Sequence, residues 1–100
     1  MRLVVDNLTL ARWRALDAAS CLAALADHAT ADSTFHPSAD PHTTRWHANV
    51  AGQDVEILCT GPKFWDIRDE RGGGGAIDLA MHLYRINFKT AVALLKGRGI

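Results

Sequence analysis

The residues best suited to chemistry lie in two clusters. Arg45-Trp46-His47 forms one, and Lys63-Phe64-Trp65 with Arg68 and Arg71 forms the other. Cations interleaved with aromatic rings suit a single-stranded nucleic acid, because rings stack on unpaired bases for about 1–3 kcal/mol each and flanking cations follow the phosphates. The competing reading is that Trp46 and Trp65 fill a small core and the arginines are solvated. At least one tryptophan is expected inside. Directly after Arg71 come four glycines, residues 72–75, and then Ala76-Ile77-Asp78. A glycine corner opening a helix leaves unpaired N–H groups and the positive end of the helix dipole, so Gly73, Gly74 and Gly75 form a candidate phosphate-binding corner. The plainer alternative is a turn that lets the helix fold onto a sheet.

Other chemistry finds less support. His28, His36, His42, His47 and Cys59 match no standard metal-ligand spacing. Cys59 could act as a nucleophile with His47 as base, but nothing nearby would orient that base. Asp66, Asp69 and Glu70 stand among arginines and read as a charged turn, not as a two-metal carboxylate site. The chain is therefore expected to be no enzyme and to hold no metal or other cofactor. Cys21 and Cys59, without a CxxC, read as buried thiols of a reducing compartment.

These residues need a scaffold. One hundred residues, 48% hydrophobic and 22% charged, make a single domain spanning 1–100 with a modest core. No apolar run approaches the roughly 20 residues of a membrane span, and the first residues make too short a stretch for a signal peptide. The chain is read as cytoplasmic, with no membrane partner. Net charge is zero, split as −2 over residues 1–40 and +2 over residues 41–100, so any nucleic-acid site must be a local patch.

Residues 1–7 could form a short strand at Leu3-Val4-Val5 or an arm. Residues 8–29 are rich in Ala and Leu and read as helix, either one kinked or two short ones with Asp17 capping the second. Residues 30–44, with Pro37 and Pro41, read as loop. Residues 45–50 and 55–59 alternate with period two, and residues 63–67 complete a three-stranded antiparallel meander. Residues 76–85 form an amphipathic helix with Ile77, Ala80, Met81 and Tyr84 on one face and Asp78, His82 and Arg85 on the other. Asn87 caps a last helix over residues 88–96, with Phe88 among its inward residues. The fold class is α+β: a small antiparallel sheet of about three strands flanked by an N-terminal helix or helices and two C-terminal helices.

The run Lys63-Phe64-Trp65-Asp66, the glycines, Ala76-Ile77-Asp78-Leu79-Ala80-Met81 and Asn87-Phe88-Lys89-Thr90-Ala91-Val92 together resemble one family. Residues 44–96 look like the N-terminal zinc-ribbon domain of bacterial replicative primases. They resemble more closely its zinc-less relatives in primase or replication proteins of plasmids and mobile elements. The family's zinc sits on a Cys/His pair near the first strand and a Cys-x-x-Cys before the glycines. Here the second pair falls near Ile67 and Glu70, and near the first only His47 could serve, so four donors are lacking. The resemblance thus implies a metal-free, zinc-ribbon-like domain with Trp46, Phe64 and Trp65 taking over as the staple. It also implies contact with single-stranded DNA template, for which the interleaved cations and rings supply the candidates Arg45, Trp46, His47, Lys63, Trp65, Arg68 and Arg71. The alternative role is a docking module for a primase, polymerase or helicase, which predicts an exposed apolar patch. If the polypeptide continues, catalysis is expected beyond Ile100.

Overall fold

The computed structural model describes residues 5–100. Four helices and five strands follow the order α1 (Asn7–Ala15), α2 (Ala18–Leu25), β1 (His28–Ala31), β2 (Thr44–Val50), β3 (Gln53–Thr60), β4 (Lys63–Asp66), β5 (Arg71–Gly74), α3 (Ala76–Tyr84) and α4 (Phe88–Gly97). The sheet is an antiparallel meander, β1-β2-β3-β4-β5. The α+β class and the meander agree with the sequence reading. The strand number does not: β1 and β5 extend the expected three strands to five. Of the proposed N-terminal strand, Leu3 and Val4 lie outside the described residues, and Val5 is not in a strand.

Caps fix the helix boundaries. Asp6 accepts from Thr9 N at 2.7 Å, Asp17 from Ser20 N at 3.2 Å and Asn87 from Thr90 N at 2.9 Å. Each satisfies an N–H that has no intrahelical partner. The N-terminal segment is therefore two helices, broken where Leu16 takes extended backbone before Asp17.

Pairing decides what each strand residue faces, because residues directly opposed across an antiparallel pair project to the same side. Ala48, Val50, Ile57, Cys59 and Phe64 are all buried and share the side covered by helices. They join Leu22 and Leu25 of α2, Leu79 and Ala80 of α3, and Ala91 and Leu95 of α4 in one core. The fully buried tryptophan is Trp13 of α1, 1% exposed. Trp46 is only partly buried at the core's margin, and Trp65 is 45% exposed. Of the three expected staples, Phe64 alone is fully inside.

Three of the four glycines, residues 72–74, belong to a strand, and Gly75 alone turns the corner into α3. Phe64 pairs with Gly73 and Trp65 with Gly72. A Cβ on Gly73 would lie 3.2 Å from the Phe64 ring, and one on Gly72 would lie 2.8 Å from Cε3 of Trp65. The two aromatics of β4 thus fold over the two glycines of β5, one on each face of the sheet. Of the four glycines, only Gly75 needs a backbone that glycine favours: its φ is +89°, and a Cβ there would meet Arg14 Cα at 3.2 Å.

Candidate nucleic-acid interface

The sheet face away from the helices carries the side chains that alternate with the core residues. Across it run Arg45, Leu58, Trp65 and Gly72, paired in succession from β2 to β5. His47 and Glu56 form the neighbouring row, and Lys63 lies two residues before Trp65 on the same face, opposite Thr60. Because Gly72 has no side chain, the Trp65 indole leans over it and keeps its outer surface open. Asp40 and Thr43, from the segment joining β1 to β2, border a hollow of about 330 Å³ beside Trp65 and Lys63.

Electrostatics narrow the site. Arg45 Nη2 lies 2.6 Å from Glu56 Oε2, while its Nε is 4.0 Å from Asp32, close enough for ion pairing but too far for a hydrogen bond. Arg68 folds back from the β4–β5 turn to Glu56 at 3.4 Å and the Asp54 carbonyl at 3.4 Å. The hydrogen bond from Arg45, supported by Arg68, holds the Glu56 carboxyl below its ordinary value. His47 sits between Asp32 at 3.6 Å and Glu56 at 3.8 Å. Lys63 alone of the face's cations has no side-chain partner among the described residues.

Two residues leave the expected set. Trp46 pairs with the buried Ile57, so it turns toward the helix side, where its Nε1 donates to Thr44 Oγ1 at 2.9 Å. Arg71 pairs with Asp66 and belongs to the helix side too, at the sheet edge. Strand alternation forbids neighbours such as Trp46 and His47 from sharing a face. The same alternation separates Cys59, in the core, from His47, outside, and burial pushes the Cys59 thiol up to about 12. A Cys–His nucleophile pair is thereby removed.

The expected phosphate corner is also displaced. Gly73 and Gly74 lie in β5, the Gly75 N–H donates to Pro62 O at 3.0 Å, and the Gly74 N–H donates to Asp78 Oδ2 at 3.2 Å. Asp78 sets a carboxylate at the start of α3, where an anion would have to sit.

Sequence reasoning missed one cluster. Asp66, 3% exposed, accepts from Arg68 N and Asp69 N at 3.0 Å each, and His82 Nε2 lies 2.7 Å from its other oxygen. The imidazole packs against Phe64, with ring centroids 5.6 Å apart. His82 is therefore inside, not on the solvent face of α3. Asp66, Asp69 and His82 bring three ligand atoms within 4.8 Å of one another. Arg85 pairs with Asp69, however, and its hydrogen bond depresses the Asp69 carboxyl, helped by the nearby Arg71. With arginines beside Asp69, and two turn N–H groups and the imidazole on Asp66, the cluster reads as a fastener between the β4–β5 turn and α3.

The chain matches no protein-family profile, no curated protein and no solved structure. Among the described residues no helix is long and apolar enough to cross a membrane.

Proposed function

We propose that this domain binds single-stranded DNA on the open face of its sheet, as an accessory part of a primase or replication protein. That setting is the one implied by the resemblance of residues 44–96. The observation that carries the reading is the exposed Trp65 ring lying over Gly72 with Lys63 beside it. A base stacks on the indole, Lys63 meets a phosphate, and Arg68 meets a second once it leaves Glu56. Arg45 and His47 border the strip but are held by acids. The role is binding, not catalysis.

With two phosphate contacts, affinity is modest and its salt dependence shallow, a slope of about −1.4 in log K against log salt for a single strand. Fluorescence anisotropy of a labelled thymidine oligonucleotide and a duplex, at two salt concentrations, tests this. Single strands should bind in preference to duplex, and Trp65→Ala should weaken binding by about 1–3 kcal/mol. No binding at low salt, or full binding by Trp65→Ala, would remove the role.

A further inference from the structure

A different surface presents an open strand edge. β5 is an edge strand, and its neighbour α3 leaves a groove alongside it. Gly75 N–H bonds inward to Pro62, so antiparallel alternation turns the peptide groups of Gly74 and Gly72 outward. Asp78 takes the Gly74 N–H, confirming that direction. The N–H and C=O of Gly72 and the C=O of Gly74 remain for an incoming strand. No side chains on residues 72–74 obstruct it.

Two hollows make up the groove. One, about 410 Å³, has Phe64, Met81 and Ile86 for its apolar wall and Arg71 and Arg85 at its mouth. The other, about 510 Å³, shares Met81 and Asp78 with it and continues past Ile77, Leu10 and Phe88 to Arg14. Phe88 is 48% exposed, although it starts the amphipathic helix α4. Trp13 lines this second part, and its Nε1 is buried without an acceptor among the described residues. Neither Arg14 nor Arg71 has a side-chain hydrogen bond or ion pair among those residues. An unpaired strand edge, an apolar floor and an arginine towards each end complement one chemistry.

We infer that the β5 edge and the α3 groove take an extended peptide segment of a partner protein, apolar at its centre and acidic at its ends, added as a sixth strand. Main-chain hydrogen bonds supply affinity, and the groove and its arginines supply selectivity. Asp78, in the middle of the groove, rejects acidic residues there. The site lies off the open face that carries Trp65, so it stands whether or not that face binds DNA.

The test uses the full chain and two acetylated, amidated pentapeptides, Glu-Val-Phe-Val-Glu and Lys-Val-Phe-Val-Lys, followed by amide NMR and hydrogen exchange. The acidic peptide should shift Gly72, Met81 and Phe88 and slow exchange at Gly72 N–H. Arg71→Glu, an exposed change, should weaken it by about tenfold, the scale of one lost charge-assisted contact. A thymidine oligonucleotide should not displace it. Equal binding of the lysine peptide, no protection of Gly72 at millimolar peptide, or displacement by the oligonucleotide would overturn the assignment. Gly72 protection that grows with protein concentration alone would also overturn it, giving the edge to a second copy of the chain.

Discussion

The indole of Trp65 lies so close over Gly72, its cross-strand partner, that a methyl group on that glycine would sit 2.8 Å from Cε3 and 2.7 Å from the Phe64 carbonyl oxygen. The glycine and the exposed ring are one feature. A platform on the open face exists because β5 gives up a side chain.

Gly72→Ala should therefore destabilise the fold by about 1–3 kcal/mol, the usual cost of overpacking a site that cannot yield. It should also lift the indole from the sheet. Urea unfolding and the tryptophan emission maximum measure the two effects. Unchanged stability with unchanged emission would show that the ring does not rest on the glycine.

Acid should loosen the open face. The Glu56 carboxyl is held below its ordinary 4.5, chiefly by the hydrogen bond from Arg45. A depressed carboxylate contributes stability above its unfolded value and loses it as pH falls through the folded value, so the loss lies below pH 4.5. Glu56→Gln should flatten stability against pH in that window. It should also free Arg45 and Arg68 and tighten single-strand binding at neutral pH. Weaker binding by this variant would mean the acid positions those arginines instead of competing for them.

His82→Ala should cost about 2–4 kcal/mol, because it leaves the buried Asp66 carboxylate with its two turn N–H groups and no imidazole. Adding Asp66→Asn should recover part of the loss, since a neutral amide is cheaper to bury unpaired. Thermal or chemical unfolding of the single and double variants decides this. Two losses that simply add would show that the residues are not coupled.

The cysteines should be inert in the folded protein. Burial keeps Cys21 and Cys59 protonated, Cys59 up to about 12, and only the thiolate is a nucleophile. Ellman's reagent at pH 8 should titrate neither thiol until denaturant is added. Rapid reaction of the native protein would contradict the buried placement.

What could be read in the sequence divides along physical lines. α3 and α4, and the caps Asp17 and Asn87, were legible because apolar period and capping chemistry are local signals. β2 and β3 were legible from alternation, and β4 from its aromatic pair directly after a turn. β5 was not, because glycines carry no pattern and the reason for them lies in Phe64 and Trp65 on the strand before. β1 was hidden for another reason: His28-Ala29-Thr30-Ala31 is an edge strand with little to bury. Of the interface residues, Lys63, Trp65, Arg45 and His47 do share a face. Trp46 and Arg71 were placed with them by closeness in sequence, which pairing register overrides. The Asp66–His82 contact joins a turn to a helix 16 residues away, and no single-sequence spacing announces it.

The order of the strands also bears on how the chain reaches this structure. Each strand pairs with its neighbour in sequence, and residues 51–52, 61–62 and 67–70 are all that separate β2 from β3, β3 from β4 and β4 from β5. Three successive hairpins need little loop-closure entropy and can zip locally. The helical layer is different: α1 and α2 must close on α3, across fifty residues or more of intervening chain. Sheet formation should thus lead and helix docking follow, so that α1 is also the part most readily opened from the finished fold.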